Sequence, residues 1–200
     1  DEHSLAARRA GTANVLTRQA DGRLAAHNTD GAGLLRDLTE RHRLDLRGQH
    51  VLLLGAGGAA RGVAWPLLDA GVRALTIVNR SRAAADALAE AVGTPASSCH
   101  WDDLARIENP DLIVNATSAG VLGMPLHLPP TLLGSRAVCY DLAYGKAANG
   151  FLDWASGAGA RGAIDGLGML VETAADAFEL WHGRRPATEP VYRSLRQPAA

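Results

Sequence analysis

Apolar residues run without interruption through Val51-Leu52-Leu53-Leu54, the pattern of a strand buried on both faces. Glycines follow, and then Val63, Leu67 and Leu68 fall at helical spacing over Arg61 to Ala70. Pro66 lies inside that stretch and is expected to bend it, because it removes one backbone donor. The alternation continues. Ala74 to Val78 predicts a second strand, and Arg82 to Val92 a helix with Ala85, Leu88, Ala89 and Val92 on one stripe. Shorter strands are predicted near Ala96 to Cys99 and over Asp111 to Val114, Ala137 to Tyr140 and Ala160 to Ile164. Strands alternating with helices predict βαβ units with right-handed crossovers, hence an α/β, doubly wound, mostly parallel sheet.

Both flanks read differently. Thr12 to Arg18 and Arg23 to Ala26 are short strand-like runs around an Asp21-Gly22 hairpin signal. Thr29 or Asp30 then caps a predicted helix to about His42, with Leu34, Leu35 and Leu38 on its apolar face. At the other end, Leu167 to His182 predicts a long helix whose buried stripe is Leu170, Ala174, Ala177, Phe178 and Trp181. Gly183 stops it, and a short helix follows Glu189-Pro190.

Composition narrows the class. A hydrophobic share of 47% with a formal charge of −1 suits a soluble globular chain and excludes disorder. There is no basic footprint for nucleic acid and no apolar run of the roughly 18 residues a membrane helix needs. The opening Asp1-Glu2-His3-Ser4 has no signal-peptide character and no initiator Met, so the chain reads as a piece of something longer. Cys99 and Cys139 fit no disulfide framework and read as buried thiols of a reducing cytoplasm. None of the seven His falls at metal-ligand spacing, so no metal site is expected.

The strand Val51–Leu54 runs into Gly55-Ala56-Gly57-Gly58-Ala59-Ala60, which fits G-x-G-x-x-G/A with Ala60 in the last place. A strand before and a helix after give the context of a Rossmann dinucleotide loop rather than a plain tight turn. Gly55 turns the chain, Gly57 keeps a side chain off the pyrophosphate, and Ala60 lets the helix pack close. The second strand ends in Asn79-Arg80-Ser81-Arg82, with no acid to hold ribose hydroxyls. Arg80 offers a planar fork of donors for a 2′-phosphate, Asn79 and Ser81 add neutral donors, and Arg82 can add a second charge. The loop therefore points to NADP rather than NAD. Two solvated arginines opening a helix are the plain alternative.

Several motifs then occur in a specific order: Ala10-Gly11-Thr12-Ala13-Asn14, His27-Asn28-Thr29-Asp30-Gly31, Gly55 to Ala59, Asn79-Arg80-Ser81, Asn115-Ala116-Thr117-Ser118 and Asp165-Gly166-Leu167-Gly168-Met169-Leu170. The set resembles the shikimate dehydrogenase family over nearly the whole chain. The resemblance implies NADPH-dependent, reversible reduction of 3-dehydroshikimate to shikimate. It also implies a catalytic role for Asp30, which alone would read as a helix N-cap. By the same resemblance Asn14, Asp30, Tyr144 and Thr173 contact substrate. The loop Gly55, Ala56, Gly57, Gly58 and Ala59, with Asn79, Arg80, Ser81 and Arg82, holds NADP. Asn115, Thr117 and Ser118 line the cofactor, and Leu142, Gly166 and Met169 lie near the nicotinamide.

Departures matter too. The family pairs its Asp with a Lys from a stretch that would precede residue 1, whereas the one Lys here, Lys146, stands in a different context. Thr173 occupies the place of a Gln, Asn149-Gly150 that of a Thr-Pro, and Ala84 that of a basic residue. These changes leave open a quinate-type relative or a dinucleotide-binding piece without catalysis of its own. The expected division is 1–29 as the end of an N-terminal α/β substrate domain, 30–164 as the Rossmann domain, and 165–200 as helices packing back toward the cleft. The partner is a small molecule, and the sequence leaves monomer and homodimer open.

Overall fold

The computed structural model describes residues 2–134 and 136–197; Asp1, Ser135 and residues 198–200 lie outside the described residues. Two sheets form. The smaller contains β1 (Glu2–His3), β2 (Val15–Arg18) and β3 (Leu24–His27) in the order β1-β3-β2, with β1 parallel and β2 antiparallel to β3. Helix α1 (Leu5–Ala10) joins β1 to β2. Neither β1 nor α1 was expected, since Arg8 and Arg9 mask any apolar stripe.

From β3 the chain enters α2 (Asp30–Arg36), which continues as one π-helical stretch, Asp37–Arg41. The sequence predicted a single regular helix here; the wide turn occurs where the buried Asp37 bonds across to another strand.

The large sheet comprises β4 (His50–Leu54), β5 (Ala74–Asn79), β6 (Ala96–His100), β7 (Leu112–Asn115), β8 (Val138–Asp141) and β9 (Gly162–Ile164). All pairings are parallel, in the order β6-β5-β4-β7-β8-β9. Strand order reverses between β4 and β7, so the ligand crevice lies beyond their carboxyl ends. Alternation along the strands fills two cores. Val51, Leu53, Val114 and Tyr140 pack toward one face, and Leu52, Leu54, Ile113 and Cys139 toward the other. The first face is covered by α2, α3 (Gly58–Asp69), α4 (Arg82–Val92) and α6 (Leu167–His182). The second is covered by the segment 101–106, the loop carrying Leu128 and Leu132, and α5 (Asn149–Gly157), which the Asn149-Gly150 start concealed in the sequence. Cys139 is buried and burial pushes its thiol up to about 12, whereas Cys99 is only half-buried.

The stripe expected on α6 is only partly right. Ala177 is buried and Phe178 half-buried, but Ala174, Leu170 and Trp181 are exposed, the last two 41% and 57%, and the other inward residues are Gly168, Met169, Val171, Glu172, Ala175 and Asp176. Acidic side chains turn inward because arginines meet them: Arg41 and Arg185 bond Glu172, and Arg36 and Arg185 bond Asp176. Trp181 instead donates its indole N–H to Leu16 O at 3.0 Å, tying α6 to β2. After Gly183 a last helix, α7 (Glu189–Arg196), packs on α6.

Candidate functional site

Gly55 adopts φ +112°, and a Cβ there would lie 2.9 Å from Ala116 O at the end of β7. Only glycine permits both the dihedral and the approach. The glycine thus closes the switch point itself. Gly57 is extended and caps α3 without any side-chain hydrogen bond. A Cβ on Gly57 would meet nothing within 4 Å. Gly57, Gly58 and Ala59 are exposed, Ala56 and Ala60 buried. The result is an open, uncapped helix start of the kind that holds phosphates.

At the end of β5 the amide of Asn79 donates to Ser81 O at 3.1 Å, which shapes the turn. Arg80, Ser81 and Arg82 are exposed on the same rim. At the end of β7, Asn115 is buried. Its Oδ1 accepts from Thr117 N at 3.1 Å and Thr117 Oγ1 at 2.7 Å, and its Nδ2 donates to Asp141 Oδ2 at 2.9 Å. Its side chain therefore builds the loop and takes up both donors of Thr117, while Ser118 beside it is exposed. Asp141 was not anticipated. Burial raises its pKa to about 6, against the opposing bonds from Ala143 N and Asn115. Leu142 follows it, half-buried, and Tyr144 is 48% exposed.

The small sheet supplies the facing wall. Asn28 is buried; its Nδ2 donates to Thr12 Oγ1 at 3.1 Å and its Oδ1 accepts Asp30 N at 3.1 Å. Asn14 Nδ2 donates to Asp30 Oδ1 at 2.7 Å, while Asn14 Oδ1 accepts Thr29 N at 3.0 Å. Asp30 is thus fixed from both sides. Its pKa is raised by burial, only partly offset by the Asn14 bond. A Cβ on Gly62, in the first turns of α3, would lie 3.1 Å from Asp30 Oδ2. One on Gly58 would lie 3.6 Å from the Thr12 methyl. The carboxylate and the phosphate-type loop therefore share one cleft.

Thr173 sits elsewhere than a reaching side chain would. Its hydroxyl donates to Met169 O at 2.6 Å and packs against Gly33. Lys146 is exposed, in the short turn after Tyr144. Among the described residues no group of three or more His, Cys, Asp or Glu is placed to hold a metal ion, and no helix is long and apolar enough to cross a membrane.

A six-stranded parallel sheet with a glycine loop at its switch point, faced by a half-buried Asp30 bonded to an exposed Asn14, defines a dinucleotide-dependent oxidoreductase class. Comparisons narrow it. The profile described as "Shikimate / quinate 5-dehydrogenase" matches residues 37–122, and "Shikimate 5'-dehydrogenase C-terminal domain" matches 166–196. Shikimate dehydrogenase (NADP(+)) from Xylella fastidiosa strain M12 is 57% identical over 196 residues, 96% of this chain and 69% of that protein. The structure of an Ael1 enzyme from Pseudomonas putida aligns with TM-score 0.90 at 43% identity, covering 99% of this chain and 73% of that one. Shikimate 5-dehydrogenase from Thermus thermophilus, in complex with NADP(H) and shikimate, aligns with TM-score 0.81 at 34% identity, covering 98% of this chain and 72% of that one. The chain belongs to the shikimate dehydrogenase family.

Proposed function

We propose that this protein reduces 3-dehydroshikimate to shikimate with NADPH, reversibly, in the cytoplasm. The observation that carries the reading is the shared cleft: Asp30, held by Asn14, lies against the first turns of the helix that the glycine loop opens. The loop fits the cofactor, since Gly57 faces open space and α3 has no side-chain cap.

NADPH supplies a hydride to the substrate's carbonyl carbon. The chain's own residues do the rest. Gly57, Gly58 and Ala59 offer backbone N–H groups and the positive helix end to the pyrophosphate. Arg80, with Asn79, Ser81 and Arg82, meets the 2′-phosphate. Thr117 and Ser118 line the crevice, while Leu142, Gly166 and Met169 floor the nicotinamide end. As the carbonyl opens, its oxygen must take a proton, and Asp30 is the group we assign to holding that proton in place. A raised pKa lets a carboxyl exchange protons nearer neutrality. Tyr144 contacts the substrate from the β8 side. In this reading residues 1–29 belong to the substrate domain, 30–164 to the cofactor domain, and 165–200 return toward the cleft.

Thr173 favours a second reading in one respect. Its hydroxyl is committed to Met169 O, so it leaves room beside the substrate for a differently substituted ring, as in quinate.

The test is NADPH oxidation by the full-length protein with 3-dehydroshikimate, and NADP reduction with shikimate and with quinate. Turnover with shikimate preferred is expected. Asp30→Ala should lower kcat by about 10²–10⁴-fold, the usual worth of a placed acid–base group, with NADPH affinity within about twofold. Undiminished turnover in that variant would remove Asp30 from the chemistry, and preference for quinate would establish the second reading.

A further inference from the structure

Asp165 lies between the two pieces of backbone that floor the nicotinamide end, and the functional reading gives it no role. It follows β9 and is 8% exposed. Its Oδ2 accepts Gly145 N at 3.3 Å, directly after Tyr144. Its Oδ1 accepts Leu167 N at 3.3 Å, at the start of α6 between Gly166 and Met169. The two pieces touch elsewhere as well: Gly166 N donates to Ala143 O at 2.8 Å, and a Cβ on Gly166 would collide with Leu142 O.

Two long backbone bonds leave a buried carboxylate short of partners. Arg196, at the end of α7, completes the set. It pairs with Asp165 through both terminal nitrogens, Nη1 on Oδ2 at 3.0 Å and Nη2 on Oδ1. Such a fork fixes the carboxylate plane as well as its charge. Arg196 is itself fixed: its Nε donates to the Tyr192 hydroxyl at 3.0 Å, and the Tyr192 ring stacks under the Arg41 guanidinium, 4.2 Å from the ring centroid.

We propose that Asp165, held by Arg196, is a positioning residue for hydride transfer. It sets the separation between the Tyr144 loop, on the substrate, and the Gly166–Met169 turn, under the nicotinamide. The inference rests on the dehydrogenase reading above. Neither residue touches the reacting atoms, so their effect falls on kcat rather than on cofactor affinity.

The experiment uses the full-length protein with NADPH and 3-dehydroshikimate, and compares wild type, Arg196→Gln, Arg196→Lys and Asp165→Asn. A displacement of about 1 Å at reacting atoms is worth about 10²-fold. Arg196→Gln should therefore lower kcat about 10–100-fold, with the NADPH Kd within about threefold, and should lower Tm because Asp165 loses its paired charge. The isotope effect with NADPH deuterated at the transferred position should rise, because the hydride step becomes slower. Arg196→Lys should recover part of the loss, since it keeps the charge without the fork. Asp165→Asn should reproduce the Arg196→Gln phenotype, and combining the two should add nothing. An unchanged kcat and isotope effect in Arg196→Gln overturns the proposal. So does a parallel fall of kcat, affinity and Tm that Lys does not relieve, which would make the pair merely structural. A wild type that does not turn over 3-dehydroshikimate overturns the functional reading, and this inference with it.

Discussion

Asn79 spends its amide on Ser81 O, which leaves Arg80 exposed on the rim of the cradle. A phosphate set on the ribose there would meet a planar, permanently charged fork. Arg80→Ala should weaken NADP(H) by about 1.5–3 kcal/mol, the scale of a charge-assisted hydrogen bond, and leave NAD(H) nearly unchanged. Titration of both cofactors decides this, and equal losses would take the 2′-phosphate away from Arg80. Asp141 gives a second test at this scale. Its folded pKa of about 6 lies above the ordinary 3.8. An acid of this kind favours the native state at low pH, and that contribution is lost as pH rises from about 4 to about 6. The full difference corresponds to about 3 kcal/mol at most. Asp141→Asn cannot ionise. Its Tm relative to wild type should therefore climb by about 4–8 °C between pH 4 and pH 7.5, and a constant difference would show that Asp141 is not charged at a cost. The exposed place of Arg80 at the end of β5 was legible in the sequence because the apolar run of the strand stops just before it. Asp141 was not, since what perturbs it is burial and its bond from Asn115, 26 residues away.

Elements were legible to the degree that one local force dominated. The strands β4, β5, β7 and β8 showed as apolar runs because both their faces are buried. The α6 stripe misled because Glu172 and Asp176 are inward only by virtue of arginines elsewhere in the chain. Pro66 was expected to disturb α3, and its ring in fact packs against Gly31, where a Cβ on Gly31 would collide with it. The missing side chain on one helix accommodates the proline on the other, and α2 and α3 come together. The glycine loop was read from its motif, and its geometry yields a sharp test. Gly57 has a backbone conformation open to any residue and free space around its Cβ position. Gly57→Val should therefore keep its Tm while NADPH binding weakens by about 100-fold or more, because the branched side chain fills the place of the pyrophosphate. Normal affinity in this variant would reduce the loop to a structural turn.

At the scale of the whole molecule, the small sheet reaches the large one through α2 and α6, and Asp37 is where they join. Its side chain is fully buried. Oδ2 accepts the Tyr140 hydroxyl of β8 at 2.7 Å, and Oδ1 accepts Arg41 at 2.5 Å. A Cβ on Gly168 of α6 would overlap the same carboxylate. Arg41 passes the charge on to Glu172 at 2.9 Å. Three elements thus converge on one acid, and Asp30, assigned to the proton step, begins the helix that leads to it. Pairs of this kind gain little over an apolar core, but breaking one leaves an uncompensated buried partner. Asp37→Ala should cost about 3–5 kcal/mol by urea unfolding, because it strands the Tyr140 hydroxyl and one face of Arg41. Tyr140→Phe should cost less, about 1–2 kcal/mol, since Asp37 keeps Arg41. The double variant should fall short of the sum by at least about 0.5 kcal/mol, as groups in one network do. Arg23→Ala, which breaks a pair with Asp21 whose side chains are 56% and 52% exposed, provides the contrast and should stay within about 0.5 kcal/mol. If Asp37→Ala were as mild as that surface change, the joint would not be holding the two sheets together, and the spacing between Asp30 and the glycine loop would have to be set by apolar packing of α2 on α3 alone.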